Sequence, residues 1–264
     1  MGQRQRFLEL HKTPFIIPNP WDRGSVRLLE TAGFPALATT SAGFAGTRGR
    51  LDGDVTRDEV LAHARDLVGV TELPISADLE NGFGDRPEDA AETIRGAAET
   101  GLAGGSIEDY GGPDVGLYPA ELAAERIRAA VEANQGLEEP LVLTARAENH
   151  FRGHPDLADT ITRLQAFQEA GADVLYAPGL SSLEDFRSVV ASVDRPINGL
   201  ILPGGPSVPE LFEAGVTRVS TGSALHMATQ AALLEAAQEL LGAGTHAFWQ
   251  RALAHAGSVR DALS

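Results

Sequence analysis

Short apolar segments typical of buried β-strands alternate with longer amphipathic helical segments along almost the whole chain. Several of the helical segments end in an Ala-Gly or Thr-Gly step, as at Ala32-Gly33 and Ala170-Gly171. Glycine there accepts the left-handed conformation that turns the chain towards the next strand. Eight strand–helix units without a linker fit a closed parallel (β/α)8 barrel. The eight strands are predicted at residues 14–18, 36–40, 74–79, 105–108, 141–147, 174–177, 196–202 and 218–221.

The alternative to a barrel is an open, doubly wound sheet. Such a sheet usually has a glycine-rich phosphate turn after its first strand, whereas the segment IIPNPWDRGS has no G-x-G-x-x-G pattern. A length of 264 residues is normal for one α/β barrel. We therefore expect residues 1–264 to form a single barrel domain, with an N-terminal helix at 2–12 and further helices at 223–264.

The charge balance of the chain restricts its partners. The net charge is −16 and no stretch resembles a basic stripe, which argues against a nucleic-acid partner. The absence of cysteine excludes disulfides, zinc–thiolate sites and thiol nucleophiles. No signal-peptide core and no run of about 20 apolar residues is present, so we expect a cytoplasmic protein without a membrane partner. An acidic protein that binds an anionic substrate must supply positive charge locally, from a metal ion or an arginine.

Acidic residues stand at the ends of two neighbouring predicted strands, where the reacting groups of such barrels lie. Asp78 ends the third strand, with Glu80 two residues on, and Glu108 ends the fourth. In a partly dry pocket these groups would repel one another unless one takes a proton or a cation binds among them. Oxygen ligands suit Mg²⁺ or Mn²⁺. Asp78 and Glu80 would share a face if the strand continued through both. Solvated surface carboxylates are the alternative.

Arg146 interrupts the apolar run LVLTA of the fifth predicted strand, and Glu148 and Asn149 follow it. A buried guanidinium group needs an anionic partner. That partner is either the carboxylate of a substrate or a structural carboxylate of the protein, and the sequence leaves both open.

Several ordered motifs at these positions resemble the isocitrate lyase/phosphoenolpyruvate mutase superfamily. The similarity runs from about Phe15 to Leu241. The DLENGFG and TARAEN segments look most like a large bacterial branch whose functions are poorly assigned. In chain order the motifs are PNPWD, TTSAG followed by Asp52, SADLENGFG, GGSIED, TARAEN, AGADVLYAPG, PINGLILPGG and RVSTGSAL.

This resemblance implies a site for a 2-oxo acid or an enolate that contains Mg²⁺, with Mn²⁺ as the alternative ion. Asp78 and Glu80 match the paired metal-binding acids of the third strand, and Glu108 matches the acid of the fourth. Glu80 replaces an aspartate common elsewhere, which changes reach but not charge. Asp52 matches the acid after the second strand. Asp52, Glu108 and Arg146 are the implied catalytic residues.

The resemblance also implies a set of substrate contacts. Three residues match a loop whose amides and hydroxyl hold the substrate carboxylate, one is also a metal-binding acid of the third strand, one matches the superfamily's substrate-binding arginine, and one matches a polar residue of strand seven. In chain order the expected contacts are Thr40, Ser41, Ala42, Asp78, Arg146 and Asn198.

Two segments depart from the superfamily pattern. Isocitrate and 2-methylisocitrate lyases carry a lid with a lysine and a cysteine, the cysteine acting as general acid, whereas DYGGPD follows Glu108 in this chain. The glutamate that such lyases place after strand six is replaced within YAPG. These departures argue against ordinary isocitrate or 2-methylisocitrate cleavage. The lid lysine of the phosphonate mutases is also missing, which argues against phosphoryl migration.

Three functions remain open. The first is Mg²⁺-dependent C–C cleavage of a small 2-oxo or 2-hydroxy carboxylic acid through a stabilised enolate, in a lyase or decarboxylase. The second is mutase or hydrolase chemistry on a C–P bond in a phosphonopyruvate-like substrate, with Asp52 as nucleophile or base. The third is a non-catalytic protein that binds 2-oxo acids. Unranked candidates for the general acid are Tyr110, Tyr118, His150 and His154, each of which is more simply an ordinary loop residue.

The last strongly apolar helix indicates self-association. Residues 224–241 are rich in Ala and Leu and contain only Glu235 and Glu239 as charges, and a helix apolar all round is usually buried on several sides. A core helix would explain the pattern as well. The resemblance implies a homotetramer, a dimer of dimers, with the eighth helix exchanged between subunits.

Overall fold

The computed structural model, which describes residues 2–264, contains eight parallel strands in one sheet. Their order is β1-β8-β7-β6-β5-β4-β3-β2, so that chain neighbours are also neighbours in space. The strands are β1 Phe15–Ile17, β2 Leu37–Ala38, β3 Ile75–Asp78, β4 Gly104–Glu108, β5 Val142–Arg146, β6 Val174–Tyr176, β7 Ile197–Leu200 and β8 Arg218–Ser220.

The barrel is nearly closed between its first and second strands. The Ala38 amide donates a hydrogen bond to the Pro18 carbonyl (3.0 Å), next to the ends of β2 and β1. The predicted (β/α)8 barrel is confirmed and the open sheet is wrong, since β1 pairs with β8. The helices are α1 Gln3–Leu10, α2 Arg23–Thr31, α3 Ser41–Thr47, α4 Arg57–Val68, α5 Pro87–Ala98, α6 Ala120–Gln135, α7 Leu157–Glu169, α8 Leu183–Ser192, α9 Val208–Glu213, α10 Ala224–Gly242 and α11 Phe248–Leu263.

Local signals in the sequence set where the helices begin and end. Thr56 caps α4, and its hydroxyl accepts a hydrogen bond from the Glu59 amide while the Glu59 side chain accepts from the Thr56 amide. Gly171 follows α7 with φ +104°, in the left-handed region that costs glycine little. These boundaries fix the loops that lead into and out of each strand.

Two hydrophobic clusters hold the barrel together. The larger lies between the strands and the outer helices and includes Ile75, Ile107 and Phe167, all fully buried. The smaller contains Phe7 of α1 and Val142 of β5, so that the N-terminal helix closes the barrel at the amino ends of its strands. The polar strand ends are thereby left at the opposite mouth, where the candidate site lies.

The two C-terminal helices expose much apolar surface in the single chain. Leu233, Leu234 and Leu241 of α10 are 70%, 62% and 89% exposed, and Trp249 of α11 is 53% exposed. Across residues 2–264, no helix has the length and apolar character required to cross a membrane.

Candidate metal and substrate site

Arg146 is the centre of the polar cluster at the barrel mouth. From the end of β5 its Nη1 donates to Asp78 Oδ1 (2.9 Å), and its Nη2 lies 3.0 Å from Glu108 Oε2. Its Nε and Nη2 both donate to Glu148 Oε1, at 3.0 and 2.8 Å. Burial alone would lower the pKa of Arg146, but Glu148, Glu108 and Asp78 together raise it well above its usual value. In this arrangement its anionic partners are structural carboxylates.

Asp78 and Glu80 do not lie on one face of a strand, as the sequence would allow. Strand β3 ends at Asp78, and Glu80 adopts φ +48°, in the left-handed region that is unfavourable for a residue with a Cβ atom. The Glu80 amide donates to Asp78 Oδ1 (3.3 Å), which helps to hold this turn. Asp78 Oδ2 accepts a hydrogen bond from the Ser41 hydroxyl (3.0 Å). Glu80 is therefore carried by a turn after the strand rather than by the strand itself.

One oxygen of the Glu80 carboxyl group lacks a hydrogen-bond partner among the described residues. Its Oε1 is buried and, within residues 2–264, accepts no hydrogen bond. Burial raises the pKa of Glu80 to about 8, and the neighbouring Asp78 and Asp52 carboxylates contribute to the rise. Asp52 is exposed at the rim, yet its pKa is also raised, first because nearby protein atoms displace part of its water and then because Asp78 is near. A carboxylate oxygen without a partner among other acids is a position where a cation would be stabilised.

Glu108 is buried at the end of β4 with a raised pKa, caused first by burial and then by the Glu148 carboxylate. Arg152, on the loop after β5, lies 3.4 Å from Glu108 Oε1 and 3.3 Å from Glu148 Oε2. Five carboxylates thus face two guanidinium groups at the mouth. The acids are Asp52, Asp78, Glu80, Glu108 and Glu148, and the bases are Arg146 and Arg152.

This donor set fits a hard divalent cation by chemistry and by charge. All candidate ligands are oxygen atoms, and a double positive charge would reduce the excess of acids over guanidinium groups. No group of three His, Cys, Asp or Glu side chains in the described part of the chain is arranged as a ready metal cluster, because Arg146 bridges Asp78 and Glu108. Mg²⁺ is commonly held by one or two carboxylates with water completing its shell. Ligation by Asp78, Glu80 and Glu108 remains a prediction.

The predicted substrate contacts fall into two groups. Thr40 caps α3, where its hydroxyl accepts from the Gly43 amide (3.2 Å), and Ser41 with Ala42 begins that helix beside Asp78. Asn198, by contrast, is 1% exposed. Inside the barrel its side-chain Nδ2 donates a hydrogen bond to Ser220 Oγ, and its Oδ1 accepts one from Arg218 Nε. The loop residues therefore lie at the mouth, whereas Asn198 lies below it.

The candidate general acids differ in their surroundings. Tyr118 is buried, donates to Asp85 Oδ1 (2.6 Å) and accepts from Asn81 Nδ2 (2.9 Å), and burial raises its pKa to about 12. It therefore serves as a structural residue. The Tyr110 ring lies at the mouth with the Arg152 guanidinium 3.9 Å from its centroid. His154 is exposed, and His150 Nε2 is buried with no hydrogen-bond partner among residues 2–264.

Two important residues were not assigned a role from the sequence. Glu148 is 0% exposed and holds Arg146, and its position two residues after a buried arginine was the available signal. No sequence pattern pointed to a role for Arg152, because the segment HFRG that contains it is typical of an ordinary polar loop. The Glu148 amide donates to Asp109 Oδ1 (2.8 Å), and Asp109 is held by Arg163 (2.9 Å) from α7. This long-range support has no local sequence signature.

The fold and the mouth together define a parallel barrel with an acid-rich polar site at the carboxyl ends of its strands, the position of the active site in barrel enzymes. The model of the family described as phosphoenolpyruvate phosphomutase matches residues 7–241 of this chain. The chain belongs to this family. Its resemblance to the isocitrate lyase/phosphoenolpyruvate mutase superfamily is thereby confirmed.

Named relatives include lyases, mutases and a hydrolase. A 2-methylisocitrate lyase of Halalkalibacterium halodurans is 33% identical over 198 residues, which cover 73% of this chain and 65% of that protein. The crystal structure of a candidate lyase/mutase from Burkholderia cenocepacia J2315 is similar with a TM-score of 0.91 and 50% identity, over 94% of this chain and 91% of that one. A 2,3-dimethylmalate lyase structure has a TM-score of 0.84 and 27% identity, over 94% and 90%.

Proposed function

We propose that this protein is a Mg²⁺-dependent enzyme that binds a small 2-oxo or 2-hydroxy carboxylic acid and cleaves one of its C–C bonds through an enolate. The observation that carries the proposal is the buried, unpartnered Glu80 Oε1 beside Asp78, in a mouth where acids outnumber bases. Membership of a family that includes lyases supports the reaction type. Mn²⁺ is the expected substitute ion.

Asp78, Glu80 and Glu108 would hold the metal, partly through water. Bound there, Mg²⁺ would supply Lewis-acid polarisation of the 2-oxo or 2-hydroxy oxygen. Arg146 contributes a fixed positive charge where negative charge develops on the substrate, and Glu148 holds the plane of its guanidinium group. Such a preorganised charge typically lowers a barrier by about 3 kcal/mol.

The loop that begins with Ser41 is the proposed position of the substrate carboxylate. The Ser41 hydroxyl is 3.0 Å from Asp78 Oδ2, so that a substrate bound at this loop lies next to the proposed metal ligands. Thr40 fixes the loop by capping α3. The loop therefore orients the acid so that its reacting oxygen faces the cation site rather than solvent.

A second candidate function is cleavage or rearrangement of a C–P bond, with Asp52 as nucleophile or base. The raised pKa of Asp52 favours it, because partial desolvation of this exposed rim residue and the nearby Asp78 make its carboxylate more basic. Turnover of phosphonopyruvate without turnover of 2-oxo or 2-hydroxy acids would select this reading.

The experiment is a turnover panel in Mg²⁺ and in EDTA. Oxaloacetate, 2-methylmalate, 2,3-dimethylmalate and phosphonopyruvate are supplied to the wild type and to Glu108→Gln, with Glu132→Gln as a control on the exposed face of α6. We expect Mg²⁺-dependent cleavage of a carboxylic acid that only Glu108→Gln abolishes. Mg²⁺-dependent binding of these acids with no turnover of any would instead select the non-catalytic binding protein.

The exposed leucines of α10 support a further part of the proposal, that the protein is a homo-oligomer built as a dimer of dimers. Leu233, Leu234 and Leu241 form apolar surface that a second subunit would cover.

A further inference from the structure

The two arginines of the mouth are engaged to different degrees. All three nitrogen atoms of the Arg146 guanidinium have carboxylate partners within 3.0 Å, and its side chain is 13% exposed. Arg152 is 29% exposed and lies further towards solvent. Its contacts with Glu108 and Glu148, at 3.4 and 3.3 Å, are longer than the 2.7–2.9 Å usual for charge-assisted hydrogen bonds.

Arg152 also retains unused hydrogen-bond donors. Its Nε is buried without an aligned acceptor, and Glu148 Oε2 next to it likewise accepts no well-aligned hydrogen bond from residues 2–264. Its Nη1 donates to no acceptor anywhere in that same range. A guanidinium group presents five N–H donors in a planar fork that suits a carboxylate. Arg152 therefore has the charge and the open donors to bind an anion.

The surroundings of Arg152 hold it at the rim. Its guanidinium group stacks on the Tyr110 ring at 3.9 Å and lies 5.6 Å from the Phe151 ring, so aromatic faces fix its plane and displace water from one side. Both arginines contact the Glu108 carboxylate, Arg146 at Oε2 (3.0 Å) and Arg152 at Oε1 (3.4 Å). The two cations therefore flank one carboxyl group, and Arg152 is on the side nearer solvent.

We propose that Arg152 binds the second carboxylate of the substrate, so that the site selects short 2-oxo or 2-hydroxy dicarboxylic acids over monocarboxylic acids. This inference rests on the proposed function, in which the first carboxylate and the adjacent oxygen occupy the inner site near Ser41 and Asp78. The second carboxylate then needs a cation further out. Arg152 is the mouth arginine with unused donors, and a carboxylate there would also relieve its imperfect contacts with Glu108 and Glu148.

The test compares one monoacid with two diacids. Dissociation constants of pyruvate, 2-oxoglutarate and malate are measured calorimetrically in Mg²⁺ for the wild type, Arg152→Gln, Arg152→Lys and Arg128→Gln. Arg128 is an exposed arginine of α6 and controls for the loss of one positive charge. We expect Arg152→Gln to weaken diacid binding roughly 10- to 100-fold, the value of one charge-assisted pair. Pyruvate binding should change less than about twofold, since it makes no such pair.

Arg152→Lys should recover part of the diacid affinity because it keeps the charge but not the planar fork. Arg128→Gln should leave all three constants unchanged. Retained pyruvate binding by Arg152→Gln shows that the mouth still folds. Equal losses for pyruvate and the diacids, or no loss at all, overturn the role of Arg152 while leaving the proposed function standing. A wild type that binds none of the three acids in Mg²⁺ overturns both.

Discussion

Glu80→Gln should stabilise the protein without metal and remove its response to Mg²⁺. The Glu80 carboxyl is partly buried beside Asp78 and Asp52, and its pKa is raised from 4.5 to about 8. The folded state therefore binds a proton that the unfolded state releases between these two pH values, so stability falls as pH rises through this window. Below pH 4.5 both states are protonated and the penalty vanishes. Glutamine keeps the shape of the protonated acid and carries no such penalty.

The size of the effect follows from the shift. Each pKa unit corresponds to about 1.4 kcal/mol, so the shift sets an upper bound of roughly 5 kcal/mol at pH 8 and above. The carboxyl keeps some contact with solvent, which screens its neighbours, and we therefore expect a gain of about 2–4 kcal/mol for Glu80→Gln at pH 8. At pH 4.5 the gain should be close to zero.

The assay is urea denaturation of the wild type, Glu80→Gln and the exposed control Glu132→Gln, at pH 4.5 and 8, in EDTA and in Mg²⁺. Mg²⁺ should raise the unfolding free energy of the wild type and the control at pH 8, because it binds only the folded state. It should not change that of Glu80→Gln. A destabilised Glu80→Gln in EDTA at pH 8, or equal stabilisation of all three proteins by Mg²⁺, would refute the electrostatic reasoning.

Three further predictions follow from other parts of the molecule. Arg146→Met leaves Asp78, Glu108 and Glu148 without their shared cation. It should lower the unfolding free energy by about 3–5 kcal/mol, measured in urea at pH 7. An unchanged value would show that Arg146 does not stabilise this carboxylate cluster. Burial lowers the pKa of His11 to about 3, so the folded protein holds this side chain neutral where the unfolded chain would protonate it. The unfolding free energy should therefore fall as pH drops from 6.5 towards 3, by roughly 2 kcal/mol at pH 5. His11→Gln should flatten this part of the pH profile. Light scattering after size-exclusion chromatography should give a mass several times the 27.8 kDa of one chain, whereas a monomer would remove the proposed role of the exposed α10 leucines.

The fold could be predicted from the sequence because its signals are local and repeated. Each strand is a short apolar run, and glycines such as Gly33 and Gly171 mark the helix ends with positive φ. The structure has a strand within or overlapping each of the eight predicted ranges. Strand bounds differ by a residue or two, since hydrophobicity alone does not show at which residue a strand ends.

The site could be predicted only in part. The strand-end position of Asp78, Glu108 and Arg146 follows from the barrel, and the structure brings all three together. The turn at Glu80 was not visible, since a left-handed glutamate has no sequence signal. Nor was the engagement of Arg146 by Glu148, because the pairing of a buried charge depends on which rotamers the surrounding packing allows.

The interior of the barrel gives Asn198 a second role beside its predicted substrate contact, which stays a prediction. A polar residue on a strand suggests a ligand contact, but Asn198 Oδ1 accepts from Arg218 Nε (2.7 Å), and Arg218 also donates to Thr144 Oγ1 (3.1 Å). Arg218 is buried, and burial lowers its pKa to about 10. Asn198 thus satisfies a buried cation within the barrel.

The most direct measurement is a crystal structure with Mn²⁺ and oxalate bound, with the ion located by its anomalous signal. We predict one strong peak at the barrel mouth, within direct or water-mediated ligand distance of Asp78, Glu80 and Glu108, with the oxalate beside Ser41. A peak elsewhere, or no peak while Asp78 and Glu108 remain bridged by Arg146, would contradict the proposed metal site.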